Sequence, residues 1–197
     1  MNAMPLNVRI RLSVMMFLQY MMFAVWWVQL AAYLANIGVT GTMKALIVSS
    51  MALGSLVSPI FCMIADRHFA SQNVLMAMNL VCAGLLFLAA LVSSPVALFV
   101  LLLLAMICYM PTWSLTSAVA MAHAPSEKFP QIRVFGSIGW AAAGLFGIVA
   151  GLFDAKIDGT PIPLYCGAAV ALLAAVLNLT LPNTPPPSKG KPASIVD

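Results

Sequence analysis

Charged residues are almost absent from six stretches of the chain, at 12–35, 45–65, 74–92, 96–121, 132–153 and 164–181. A helix needs about 20 apolar residues to cross the hydrocarbon core of a bilayer, so each stretch predicts a membrane-spanning helix. The breaks between them are short and rich in turn formers: "NIGVTGT", "DRHFASQN", "SSP", "HAPSEKFP" and "DAKIDGTPIP". This divides the chain into an N-terminal segment over 1–11, a six-helix bundle over 12–181, and the run "PNTPPPSKGKPASIVD" over 182–197. The Pro, Ser and Lys of that run predict a solvated linker or tail. Arg9 and Arg11 precede the first stretch as they would in a signal peptide. The apolar run that follows is longer than the roughly 7–15 residues of such a segment, and predicts an uncleaved helix.

Within these stretches some polar positions recur at helical spacing. At about 100° per residue, Arg133, Ser137, Trp140, Gly144, Gly147 and Gly151 fall on one stripe of the fifth helix. Pro130 suits that helix's first turn, where a missing N–H costs nothing. The glycines predict close approach of a neighbouring backbone, Gly147 and Gly151 having the spacing of small-residue packing motifs. Gln19, Phe23, Trp26, Gln29 and Tyr33 make a similar face on the first helix, and glutamines in lipid require partners. On the fourth helix Tyr109, Thr112, Trp113 and Thr116 share a face beside Pro111, which predicts a bend whose freed carbonyls nearby hydroxyls can meet. Each stripe has two readings: a polar cavity wall, or side chains that snorkel, pack and hydrogen-bond between helices without a ligand.

Composition agrees with a membrane location. Hydrophobic residues make up 63% of the chain and charged residues 7%, with a mean hydropathy of +1.04, whereas soluble chains carry about a quarter charged residues. The net charge of +4 comes without a basic cluster, which argues against a nucleic-acid partner. It is better read as orientation. With the N-terminus in the cytoplasm, Arg9, Arg11, Arg67, Lys128, Arg133, Lys189 and Lys191 lie on the cytoplasmic side, against only Lys44 and Lys156 outside. Both chain ends are then cytoplasmic.

Chemistry beyond binding finds little support. Cys62, Cys82, Cys108 and Cys166 lie in apolar runs without paired or metal-ligand spacing, and are expected to pack as small hydrophobes. His68 and His123 have no ligand company. No hydrolytic triad, HExxH or phosphate-binding loop is present, and none of the five acidic residues lies at the centre of a span. The chain is therefore not expected to be an enzyme, and no cofactor is expected.

An acidic-basic pair, Asp66 and Arg67, follows the second span. Together with six spans and both ends inside, it resembles one half of a major facilitator superfamily transporter, a fold of two six-helix halves around a midplane site. Cys62 stands where that family's loop motif usually has glycine, and "HFASQ" lacks its trailing basic residues. "MMFLQY" with Trp26, "ADRHFASQNVL", "CYMPTWSLT" and above all "FPQIRVFGSIGW", which sets Phe129, Pro130, Arg133, Gly136, Gly139 and Trp140 at fixed spacing, resemble the nucleoside:proton symporter family. The resemblance extends to about Leu181. It implies an all-α membrane fold in a bacterial cytoplasmic (inner) membrane and a nucleoside substrate held by Arg133, Ser137 and Trp140. Gln19, Trp26, Tyr109 and Thr112 are further candidate contacts. Asp66, Arg67 and Pro111 are candidates for gating or conformational change.

A complete transporter of this fold has about twelve spans. The resemblance therefore implies a missing C-terminal half that supplies the other wall of the site and the acidic residues for the coupled proton, whose site is not visible in this chain. Three arrangements stay open: an N-terminal half acting with that C-terminal half, a self-sufficient homodimeric carrier for a small polar solute, or a non-transporting membrane assembly protein. The lipid bilayer is a partner in all three.

Overall fold

The computed structural model describes residues 4–152, 157 and 159–186, apart from the side chains at 65, 66, 150 and 152. Its described elements are all helical: α1 (Leu6–Asn36), α2 (Gly41–His68), α3 (Ser71–Leu91), α4 (Pro95–His123), α5 (Phe129–Leu152) and α6 (Ile162–Asn178). Each of the six apolar stretches holds one helix. The first five are long and apolar enough to cross a membrane. The sixth is equally apolar but has 17 residues, a rise of about 26 Å, slightly short of a full crossing.

Local chemistry sets several boundaries. Ser94 caps α4 by accepting a hydrogen bond from the Ala97 N–H, with Pro95 at the first helical position. Gly38, in the turn between α1 and α2, and Gly41, the first residue of α2, take positive φ, a backbone region that costs glycine little. Pro59 and Pro111 both lie inside helices that continue past them. The Thr112 hydroxyl donates to the Tyr109 carbonyl, not to that of Ile107, whose helical bond Pro111 removes.

The helices neighbour one another in the order α5, α1, α6, α3, α4, α2, with α1 also touching α4 across the middle and α5 reaching α4 lightly. α1 is the central element, burying side chains on most of its circumference. α2 and α5 are the least buried of the long helices. They flank an open side whose floor is α1 and α4.

Glycines decide how closely the helices approach, and on α5 Gly136 and Gly139 make the contact. A Cβ on Gly139 would collide with the Phe17 carbonyl on α1, and one on Gly136 would sit 2.9 Å from the Tyr20 ring. Gly54 abuts the backbone of Met106, joining α2 to α4, and Gly167 receives the edge of Trp26, joining α6 to α1. Gly144 and Gly151, by contrast, have nothing within 4 Å of an added Cβ. At these two positions the expected close packing is not made among the described residues.

At the end of the bundle where the chain begins, polar contacts tie the elements together. Arg9 donates to Gln131 at the start of α5, and Arg11 to the Thr180 carbonyl beyond α6. Of the run expected to form a solvated linker or tail, residues 182–186 are described, and Asn183 and Pro185 among them are exposed. Thr184 is buried; its carbonyl accepts from the Ser71 N–H, its own N–H donates to Gln72, and its hydroxyl meets His123 Nε2 at 2.8 Å. Gln72 also donates to Asn183. The first N–H groups of a helix lack intrahelical partners, and at the start of α3 this segment supplies one to Ser71. Residues 187–197 lie outside those described.

Candidate functional site

On α5 the residues Ile132, Gly136, Gly139 and Ala143 are buried against the bundle. Arg133, Ser137, Trp140 and Gly144 are one position further around and exposed. The two stripes follow from one helical period: small residues let α5 lie close on α1, and that contact turns the polar stripe to the open side. Trp140 retains 38% of its surface exposed.

Next to this stripe is an open cavity of about 290 Å³ lined by Tyr20 of α1, Trp113 of α4, and Ser137 and Trp140 of α5. Its walls are mainly aromatic. Tyr20 and Trp113 stack at 5.5 Å with their planes 18° apart. Behind them Phe23, fully buried, lies 5.0 Å from Trp27, 5.1 Å from Tyr109 and 5.6 Å from Trp140. Such a wall offers flat apolar faces for a planar ligand. Arg133 borders it, with its guanidinium carbon 5.6 Å over the Tyr20 ring and Nη1 donating to Ser117 Oγ at 2.9 Å.

The other candidate contacts lie behind this wall. Gln19 Nε2 donates to Thr112 Oγ1 at 2.7 Å and to Asn79 Oδ1 at 3.2 Å, and Asn79 Nδ2 returns a bond to Gln19 Oε1 at 2.9 Å. The Tyr109 hydroxyl donates to the Gln19 carbonyl, and Thr116 to that of Thr112. All five side chains are buried. They join α1, α3 and α4 at membrane depth, where polar groups must satisfy one another. Trp26 is 1% exposed and packs into the notch at Gly167. Gln19, Trp26, Tyr109 and Thr112 therefore do not line the cavity in this structure, because their own partners cover them. Arg67 is exposed in the last turn of α2. The side chain of Asp66 lies outside the described residues. Pro111 is buried, and its carbonyl faces Cys62 Sγ at 3.8 Å.

Sequence reasoning missed Tyr20, Ser117 and Asn79. Asn79 carried a signal, as a lone amide in the otherwise apolar centre of α3. Tyr20 and Ser117 carried none, because only tertiary packing brings them to Arg133.

A family profile described as "Nucleoside H+ symporter" matches residues 6–196. The chain belongs to the nucleoside H+ symporter family. Among curated proteins it is 37% identical to "Putative nucleoside transporter YegT" of Escherichia coli (strain K12), covering 92% of this chain and 44% of that protein. It is 32% identical to "Xanthosine permease" of the same organism, covering 96% of this chain and 46% of that protein. A crystal structure of a mutant form of nucleoside transporter NupG superposes with a TM-score of 0.87 at 25% identity, covering 96% of this chain and 48% of the other. The chain thus spans about half the length of the curated relatives it matches. As a nucleoside H+ symporter family member it shares the helical arrangement of NupG over the part that aligns.

Proposed function

We propose that this chain acts as a six-helix half of a proton-coupled nucleoside transporter, working by alternating access together with a second six-helix half. In this reading α6 completes six spans, both ends of the bundle's chain are cytoplasmic, and the second half covers the side flanked by α2 and α5. The observation that carries it is the α5 stripe: Arg133, Ser137 and Trp140 are held exposed beside an aromatic cavity lined by α1, α4 and α5. A nucleoside combines a flat base with a sugar rich in hydroxyls. Trp140 offers the base a stacking face, and Ser137 and Arg133 offer hydrogen bonds. The second half supplies the opposing wall and the carboxylates for the coupled proton. Asp66, Arg67 and Pro111 serve the conformational cycle, and the Gln19–Asn79–Thr112–Tyr109 network keeps the cavity floor in place.

Stacking and charge-assisted hydrogen bonds contribute about 1–3 kcal/mol each, a factor of about 5 to 150 in affinity. Arg133→Ala and Trp140→Ala should each weaken nucleoside binding by a factor in that range in the transport-competent assembly. Uptake of labelled uridine and adenosine into proteoliposomes measures this. Unchanged uptake in both variants would remove the site assignment.

A further inference from the structure

An arginine side chain has many rotamers, and its five N–H donors point wherever its neighbours hold them. At Arg133 two helices do the holding. Nη1 donates to Ser117 Oγ on α4 at 2.9 Å, and the guanidinium lies over the Tyr20 ring on α1. Ser117 is itself oriented, since its hydroxyl donates to the Trp113 carbonyl one turn earlier at 3.0 Å. With the proton committed to that carbonyl, the oxygen presents its lone pairs to the guanidinium. Trp113 also stacks on Tyr20, so the residue that orients Ser117 supports the ring beneath Arg133 as well.

α4 and α5 otherwise touch only lightly. The Arg133–Ser117 bond therefore spans a gap between helices instead of reinforcing a packed seam. A contact of that kind adds little to helix packing and much to the direction of one cation. From this we infer that Ser117 is a positioning residue for the nucleoside site. It occupies one N–H of Arg133 and presents the remaining donors to a ligand in the cavity bounded by Tyr20, Trp113, Ser137 and Trp140. The inference rests on the reading of Arg133 as a nucleoside contact given above.

Ser117→Thr and Ser117→Val test it as a pair. Both replacements are β-branched, so their cost to the helix is similar; only threonine keeps the oxygen. The test uses the full-length transporter reconstituted in liposomes, with uridine and adenosine as probes. The valine variant should raise KM for both probes about tenfold while the threonine variant stays within about twofold of wild type. kcat and the melting temperature should be alike in the two variants. If valine and threonine bind alike, or if valine lowers kcat and melting temperature along with affinity, Ser117 only packs and the inference is overturned. If the wild type takes up neither probe, the nucleoside reading itself falls, and the role of Ser117 falls with it. That outcome is distinct from a wild type that transports normally beside an indifferent valine variant.

Discussion

Gly139→Ala is a single-methyl perturbation whose effect follows from helix geometry. Two terms oppose each other. Replacing glycine by alanine inside a helix gains about 1 kcal/mol from backbone propensity. Against this, the new Cβ would lie 3.0 Å from the Phe17 carbonyl carbon and 3.2 Å from its Cα, and would collide with the carbonyl oxygen. These are backbone atoms of α1 and cannot rotate away. α5 must move off α1 by several tenths of an ångström, and a gap of about 0.5–1 Å forfeits a quarter to a half of each contact's dispersion energy. Overpacking of this kind costs about 2–3 kcal/mol where the backbone has to shift, which outweighs the propensity gain. The net expectation is a loss of about 1–2 kcal/mol, or about 2–8 °C in melting temperature for a chain of this size. Gly144→Ala supplies the control, since it lies on the same helix with nothing within 4 Å of its added Cβ. It should melt at or slightly above wild type. Thermal unfolding of the purified chain in detergent, followed by tryptophan fluorescence, distinguishes the two. If Gly139→Ala is as stable as Gly144→Ala, the α1–α5 seam is not set by glycine contact and the account of why the polar stripe faces outward fails.

Other expectations concern the buried network and the segment after α6. Asn79→Leu removes the donor to Gln19 Oε1 at membrane depth and should destabilise the bundle by about 1–2 kcal/mol. The double variant Gln19→Leu with Asn79→Leu should recover part of that loss. A strictly additive double variant in the same melting assay would argue against a direct pair. Gln72→Ala removes partners of both Asn183 and Thr184. It should make the chain near residue 184 cleavable by a protease that leaves the wild type intact there, as read by mass spectrometry; equal protection would mean that other contacts hold the segment. Cys82 is buried and donates to the Ala105 carbonyl, so it should resist a water-soluble maleimide until the bundle is denatured. Rapid labelling of the folded protein at Cys82 would contradict the packing of α3 on α4.

The positions of the helices were legible because membrane insertion reads local composition: about 20 apolar residues in a row have few alternatives. The polar stripe on α5 was legible for a related reason, since Arg133, Ser137 and Trp140 obey a fixed helical period. The face it points to was not. Of the stripe Gly144, Gly147 and Gly151 expected to pack closely, Gly144 and Gly151 face open space, while Gly136 and Gly139, displaced by roughly one helical step, make the contact with α1. Periodicity says which residues share a face, and it is silent about what that face meets.

The same limit explains the ligand candidates. Gln19, Tyr109 and Thr112 have the chemistry of ligand contacts, and a sequence shows them with their hydrogen-bonding capacity unspent. In the folded chain the Gln19 amide spends that capacity on Thr112 and on Asn79, 60 positions away, the Tyr109 hydroxyl spends it on the Gln19 carbonyl, and Trp26 fills the notch at Gly167. Arg133 acquires its orientation from Ser117 and Tyr20, on two other helices. The sequence by itself determined a membrane-embedded helical chain, its family, and a set of side chains with the chemistry of ligand contacts. Tertiary structure decided which of these remain available, because hydrogen-bonding capacity belongs to single residues whereas its satisfaction depends on contacts between distant ones.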